Sequence, residues 1–173
     1  PTGGLKVYLV EKECLNSNKL IIVFLIKKHM KIEIICVGKI KENYIKEAID
    51  TFIARLIPLC KLEITEIKDS NMETESKKIL EFIEKRDRSR IIALSEEGKQ
   101  FTSVKFSERF KNQEQNLVFI IGGPDGLTQE LKDASDEILS LSGMTFIHEM
   151  ARLFLIEQIY RAQKIIRGAN YHR

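Results

Sequence analysis

Three short segments, each rich in glycine, hydroxyl or charged side chains, follow apolar runs of the chain. They are Ser95–Gln100, Gly122–Gly126 and Ser142–His148. Glycine allows positive φ angles and a close approach of a ligand to the backbone, while serine and threonine hydroxyls both donate and accept hydrogen bonds. If the apolar runs are neighbouring parallel strands, the three segments meet at the carboxyl edge of one sheet, where α/β proteins bind ligands. Such a cleft, with few charges, suits a neutral or zwitterionic small molecule.

The glycine segment is not one of the common phosphate-binding loops. No Lys-Ser or Lys-Thr pair follows Gly122–Gly126, as a Walker loop requires, and Pro124 stands where G-x-G-x-x-G places a glycine. A tight strand-to-helix turn is the alternative interpretation of these glycines. A dinucleotide-dependent dehydrogenase is disfavoured, because its glycine fingerprint should follow the first strand, where only Gly38 occurs.

Positive charge accumulates towards the C-terminal end of the sequence. From residue 152 onward Glu157 is the single acidic residue, and the cationic ones are Arg152, Arg161, Lys164, Arg167 and Arg173. Such side chains can contact phosphates and release counterions, or they can simply stabilise the C-terminal end of a helix. The net charge of +3 lies within residues 1–29, so the overall charge of residues 30–173 does not itself indicate a nucleic-acid partner.

Hydrolytic and metal-dependent chemistry is not indicated. Neither G-x-S-x-G nor His-Glu-x-x-His occurs, and the three histidines are too dispersed for a metal cluster, so we expect no metal. Three cysteines at irregular spacing, without a C-x-x-C pair, favour a reducing compartment, and we expect a cytoplasmic protein.

The spacing of apolar residues predicts alternating strands and helices. Strands are predicted at residues 30–38, 62–67, 90–95 and 117–121, and a fifth strand begins at Leu139. Helices are predicted at about residues 45–56, from a cap at Ser70 or Asn71 to residue 83, and at about 149–167. Two further helices are predicted to follow caps at Ser103 and Thr128, and the second of them reaches Ile138. This alternation predicts an α/β fold with a mostly parallel sheet and helices on both faces. Leu155 and Ile165 lie off the main apolar stripe of the last helix, which is typical of a helix covered by a partner chain or deeply buried.

Residues 1–29 differ from the rest of the chain. Their apolar run, residues 20–26, is far shorter than the roughly 20 residues that a membrane span needs, so we expect no membrane association. We expect Met30 to be the natural start, residues 1–29 to be an extension, native or added, and residues 30–173 to form one domain. An extra strand at a sheet edge is the alternative for residues 1–29.

Several segments together resemble one family in order and spacing. They are Ile35–Lys39, Leu94–Lys99, Phe119–Leu127, Leu139–His148, Arg152 with Glu157–Ala162, and Tyr171–Arg173. The family is that of the SPOUT-class methyltransferases that act on N3 of a pseudouridine in large-subunit ribosomal RNA. The resemblance covers about residues 30–173. Each motif alone is weak, but their agreement in register is specific.

The resemblance implies a C-terminal trefoil knot, S-adenosylmethionine as methyl donor, and an obligate homodimer. It also implies which residues contact the donor: Leu94, Gly122, Leu141, Ser142, Gly143, Met144, Thr145 and Phe146. Ile147 stands where the family pattern has a proline, so a looser turn is expected there. Residues 1–29 lie outside the pattern.

Methyl transfer to N3 requires that the nitrogen lose its proton near the operating pH. The residues expected to assist are His172 and Tyr171 as candidates for the base, and Arg152 to steer RNA phosphate or to stabilise the N3 anion. Because residues 30–173 are electrically balanced, we expect the substrate to be an assembled ribosome or subunit rather than naked RNA. The alternatives are a SPOUT methyltransferase with another target, such as tRNA, and a module that binds S-adenosylmethionine without turnover.

Overall fold

The computed structural model describes residues 31–86, 88–111 and 115–172, with the backbone alone at His172. Its strands are β1 (Lys31–Val37), β2 (Lys61–Ile67), β3 (Ser89–Gln100), β4 (Asn116–Ile121) and β5 (Glu137–Ser140). Its α-helices are α1 (Asn43–Leu56), α2 (Met72–Ile83), α3 (Ser103–Ser107), α4 (Gln129–Asp133) and α5 (His148–Ile166), with 3-10 turns at Glu108–Phe110 and Asn170–His172. The predicted extension, residues 1–29, and the expected start at Met30 lie outside the described residues.

The five strands form one sheet in the order β2-β1-β4-β3-β5, and every neighbouring pair is parallel. The apolar run of β4 has a neighbour on each side and packs on both faces. Leu117, Phe119 and Ile121 contact one buried cluster, with α1, α3 and α5. Val118 and Ile120 contact the other, with α2 and α4. The predicted α/β class, with helices on both faces, is therefore confirmed.

Local hydrogen bonds explain where several helices begin and end. The side chains of Asn71 and Thr128 accept from the backbone N–H groups of Thr74 and Leu131, as expected for N-caps. The predicted cap at Ser103 is wrong by one residue, because Thr102 accepts from the N–H of Lys105 and Ser103 is the first helical residue.

Gly168 lies just beyond the end of α5 and reverses the chain there. Its φ angle is +69°, a conformation that glycine adopts without strain. The Gly168 N–H donates to the Ile165 carbonyl at 2.9 Å and the Ala169 N–H to the Lys164 carbonyl at 3.0 Å. This pair of bonds is a Schellman motif, which turns the chain sharply after the helix.

Two predicted boundaries are wrong, both beside β5. The segment Ser95–Gln100 is not a loop but the second half of β3, and its register with β5 shifts so that Leu94 and Lys99 both lie opposite Leu139. Helix α4 ends at Asp133, and Ile138 belongs to β5 rather than to that helix. In both places pairing with a neighbouring strand overrides the local preference of a charged or helix-forming stretch.

The two-sided apolar character of α5 is partly explained within the chain. Leu155 is fully buried in the cluster that α5 shares with α1 and α3, whereas Ile165 is half-buried. Among the described helices, none has the length and apolar content needed to cross a membrane.

Candidate functional site

The parallel register brings Leu94, in the middle of β3, beside the carboxyl ends of β4 and β5. Leu94 lies opposite Ile121 on one side and opposite Leu139 on the other. Gly122 follows Ile121 directly, and the segment that begins at Leu141 follows β5. The structure therefore places Leu94, Gly122 and Leu141 at one edge of the sheet, as the strand pattern predicted.

Hydrogen bonds fix the segment between β5 and α5. The Ser140 hydroxyl donates to the Ser142 carbonyl at 2.7 Å, and the Met144 N–H donates to Ser142 Oγ at 2.9 Å. The Thr145 hydroxyl donates to the carboxylate of Glu96, in the irregular part of β3. Thr145 is thereby tied to β3, and Glu96 brings a charge to a cleft that the sequence predicted to hold few.

The glycine at position 122 is required by the turn itself. A Cβ atom there would lie 2.4 Å from the carbonyl oxygen of Gly126 and 2.8 Å from its carbon. The Gly126 N–H donates to the Gly123 carbonyl at 3.1 Å and closes the turn, with Gly126 at a φ angle of +83°. The backbone can fold this tightly only because position 122 carries no side chain.

A buried carboxyl group, which the sequence analysis did not identify, lies beneath this turn. Glu75 on α2 is 3% exposed, and a Cβ at Gly123 would lie 2.8 Å from its Oε2 atom. Its Oε1 atom accepts from the Ser70 N–H at 2.6 Å. Burial raises the pKa of Glu75, the bond from Ser70 opposes this, and the negative charges of Asp69 and Asp125 raise it further.

A cavity of about 300 Å³ opens beside β5 and α5. Its walls contain four phenylalanines and two leucines, with uncharged polar groups from two serines and one glutamine: Phe101, Ser103, Phe106, Leu139, Ser140, Leu141, Phe146, Phe154 and Gln158. Phe146 and Phe154 meet edge to face with ring centroids 4.9 Å apart. Aromatic and aliphatic side chains combined with a few polar groups are typical of a small-molecule site. Leu141 and Phe146 of the predicted donor-binding set lie in these walls.

Gly143, Met144 and Ile147 in the same segment are exposed. Met144 is 75% exposed and Ile147 60% exposed. Ile147 has φ −60° and ψ 146°, and this φ is the value to which a proline ring would restrict it. Ile147 therefore has the φ angle that a proline would impose, and the looser turn at this position stays a prediction.

Arg152 does not lie where a residue that contacts RNA would lie. It is 2% exposed, and its guanidinium points into the protein. Nη1 forms an ion pair with Glu66 at 2.7 Å, and Nη2 donates to the Gly38 carbonyl at 2.8 Å. Its buried Nε has no hydrogen-bond partner within the described part of the chain. This arrangement joins α5 to the ends of β1 and β2.

Tyr171 packs against the C-terminal half of α5. Its ring meets that of Tyr160 edge to face at 4.8 Å, and its hydroxyl donates to Glu157 Oε1 at 3.2 Å. Burial, together with the negative charge of Glu157, raises the pKa of Tyr171 above its ordinary value. The side chain of His172, the other predicted base, lies outside the described residues. No group of three or more metal-ligating side chains occurs in residues 31–172 as far as they are described.

Comparison with known proteins gives one consistent family. A family model described as "Predicted SPOUT methyltransferase" matches residues 30–172. The chain is 43% identical over 144 residues to the ribosomal RNA large subunit methyltransferase H of one strain of Prochlorococcus marinus, a match that covers 83% of this chain and 96% of that protein. It is 40% identical over 161 residues to the protein of the same name from Halothermothrix orenii, covering 83% of this chain and 100% of that protein.

Proposed function

This chain belongs to the SPOUT methyltransferase family, and on that premise we propose that it transfers a methyl group from S-adenosylmethionine to N3 of a pseudouridine in large-subunit ribosomal RNA. The observation that carries the proposal is the similarity over 96% and 100% of the length of the two relatives named ribosomal RNA large subunit methyltransferase H. The trefoil knot implied by the resemblance stays a prediction.

The residues at the sheet edge fit S-adenosylmethionine. Aromatic and aliphatic walls with uncharged polar groups suit an adenosine, and the hydroxyl-rich segment from Leu141 to Phe146 lies beside them. The carboxylate of Glu96 adds a negative charge near this segment, which suits a cationic sulfonium or ammonium group. We therefore propose that Leu94, Gly122 and residues 141–146 bind the methyl donor.

The bound donor supplies an activated methyl group for in-line displacement. The protein must then hold the acceptor nitrogen about 3 Å from that methyl group, and positioning of this kind can contribute roughly 7–11 kcal/mol. Of the predicted bases, Tyr171 is protonated at neutral pH and donates to Glu157, so we propose His172 as the base and Tyr171 as a residue that positions the segment. Arg152, enclosed by Glu66 and Gly38, is proposed to hold the fold rather than to contact RNA.

We propose that the chain acts as a homodimer in the cytoplasm. Met144, Phe146 and Ile147 form an exposed apolar patch next to the cavity, and a second copy of the chain would remove it from water. The electrical balance of residues 30–173 favours an assembled ribosome or subunit as substrate, because weak general attraction to phosphate must be supplemented by shape and protein contacts.

The decisive experiment uses S-adenosylmethionine labelled in its methyl group. The protein is incubated separately with ribosomes, large subunits, free large-subunit RNA and tRNA, and the modified nucleotide is mapped. We expect label at N3 of a pseudouridine in ribosomes or subunits and little in free RNA. Label in tRNA would indicate another SPOUT target, and donor binding without any product would indicate a non-catalytic module.

A further inference from the structure

A continuous chain of hydrogen bonds joins the cavity wall to the C-terminal segment, residues 169–172. The Ser103 hydroxyl donates to Gln158 Oε1 at 2.8 Å, and Gln158 Nε2 donates to Glu157 Oε2 at 2.7 Å. The other carboxylate oxygen, Oε1, accepts from the Tyr171 hydroxyl at 3.2 Å. Ser103 and Gln158 line the cavity, whereas Tyr171 lies beyond the end of α5. These four residues, Ser103, Gln158, Glu157 and Tyr171, are called the relay below.

The chemistry of the relay fixes the direction of each bond. An ionised carboxylate only accepts hydrogen bonds, so Gln158 must present its NH₂ group, and Tyr171 its hydroxyl hydrogen, to Glu157. With Nε2 directed at Glu157, Oε1 must face Ser103. One N–H of Gln158 and the lone pairs of Ser103 Oγ are then left for a molecule in the cavity. The carboxylate thus determines which polar group Gln158 offers to a ligand.

Arg161 strengthens the relay at its outer end. Its Nε and Nη2 atoms donate to Glu157 Oε1 at 3.1 and 2.6 Å, and its guanidinium carbon lies 4.8 Å from the centre of the Tyr171 ring. Charge-assisted bonds of this kind are stronger than bonds between neutral groups. Glu157 is therefore held in one orientation by α5 itself, and the same orientation serves both Gln158 and Tyr171.

We propose that the relay positions residues 169–172 and the cavity-bound ligand together. Gln158 is the positioning residue on the cavity side, and Glu157 joins it to Tyr171 by accepting a hydrogen bond from each. The proposal rests on the proposed function only in taking the ligand to be S-adenosylmethionine. A donor held in the cavity would stabilise the orientation of Gln158, and through Glu157 it would favour the placement of Tyr171.

The test is a double-mutant cycle on the two ends of the relay. Ser103→Ala removes the hydroxyl that meets Gln158, and Tyr171→Phe removes only the hydroxyl that meets Glu157, leaving the ring contacts. Dissociation constants for S-adenosylmethionine are measured by calorimetry on the full chain. Because one hydrogen bond contributes a modest net free energy, each single variant should weaken binding by about two- to tenfold. The double variant should bind the donor no more weakly than the weaker-binding of the two single variants, because either single change already breaks the relay.

Two matched variants serve as controls. Ser107→Ala removes a hydroxyl from the same helix, and within the described residues this hydroxyl has one partner, the Val104 carbonyl, at 2.6 Å. Tyr44→Phe removes a hydroxyl from a tyrosine that is 66% exposed. Both controls should bind the donor as the unmodified protein does. The proposal would be overturned if the fold-changes in dissociation constant of the two single variants multiplied in the double variant, or if Tyr171→Phe bound the donor as the unmodified protein does.

A second measurement separates the relay from the proposed function. Amide hydrogen exchange of residues 169–172 needs no ligand, and Ser103→Ala should accelerate it by about two- to tenfold, whereas Ser107→Ala should leave it unchanged. If the unmodified protein does not bind S-adenosylmethionine, the proposed function fails. The exchange rates then still show whether Ser103 is linked through the relay to residues 169–172. Equal exchange in Ser103→Ala and the unmodified protein would refute it.

Discussion

The Nη1 atom of Arg152 lies 2.7 Å from the Oε1 atom of Glu66, and this ion pair joins α5 to the end of β2. The second terminal nitrogen of the same guanidinium donates to the Gly38 carbonyl, directly after β1. One side chain thus holds two neighbouring strand ends against the helix that follows the candidate site. Its burial indicates that this contact stabilises the fold and so places the start of α5.

Breaking this ion pair should destabilise the protein from either side. Glu66→Gln keeps the shape but leaves a buried cation without a counter-charge, and we expect a loss of about 1–3 kcal/mol of unfolding free energy. Arg152→Met also removes the donor to the Gly38 carbonyl, while the remaining carboxylate of Glu66 is partly exposed and can be hydrated, so we expect a loss of about 1–3 kcal/mol. Urea denaturation measures both. The ion pair of Lys61 with Glu63 is the control, because Lys61 is exposed and Lys61→Gln should change stability by only about 0–1 kcal/mol. Equal losses of unfolding free energy in Arg152→Met and Lys61→Gln would contradict the conclusion that the contact between Arg152 and Glu66 stabilises the fold.

The sequence predicted the meeting of the strand ends because each apolar run stops at a breaker, and parallel strands bring such ends to one edge. It did not predict that β3 continues to Gln100, because the charged residues Glu96 and Glu97 are typical of a loop. The strand continues because Lys99 pairs with Leu139 of β5, and this pairing is visible only in the structure. It also did not predict the inward direction of Arg152. An arginine near a cationic terminus is usually exposed, and its partner Glu66 is 86 residues away in the sequence. The relay through Gln158 was missed for the same reason, because Ser103 lies on another helix.

A side chain at position 122 should weaken donor binding. In Gly122→Ala the new Cβ would lie 2.4 Å from the Gly126 carbonyl oxygen, and this neighbour is backbone that cannot rotate away. The turn must open, so we expect the affinity for S-adenosylmethionine to fall at least tenfold, about 1.4 kcal/mol or more. Calorimetry measures the affinity, and a thermal melt of the same sample establishes that the variant is folded. A folded variant with unchanged affinity would show that the turn does not shape the site.

A charge in the exposed apolar patch should weaken dimer formation. Ile147 is 60% exposed in the single chain, so Ile147→Asp should leave the fold intact but place an unpaired carboxylate in the proposed interface. We expect the dimer dissociation constant to rise at least tenfold in sedimentation experiments. Ile57→Asp, at an isoleucine that is 45% exposed after the end of α1, is the matched control and should not change it. Equal dissociation constants for both variants would place the interface elsewhere.

The buried carboxyl group of Glu75 should make stability depend on pH. Burial raises its pKa, so its protonated form favours the folded state; this contribution is complete below pH 4.5 and is lost as the pH rises through the raised pKa. Glutamine is neutral throughout, and it can still accept from the Ser70 N–H. Relative to the unmodified protein, Glu75→Gln should therefore gain unfolding free energy as the pH increases from 4 to 7.

Glu63 provides a control of opposite sign. Although burial alone would raise its pKa, the ion pairs with Lys31 and Lys61 lower it, so its contribution is present above pH 4.5 and is lost as the pH falls. Over the pH range in which Glu63 titrates, Glu63→Gln should lose stability relative to the unmodified protein as the pH increases. Urea denaturation at pH 3, 4, 5, 6 and 7 tests both variants. Since the side chain of Glu75 packs against Gly123, a pH profile for Glu75→Gln that runs parallel to that of the unmodified protein would mean that the carboxyl under the glycine turn is solvated rather than buried.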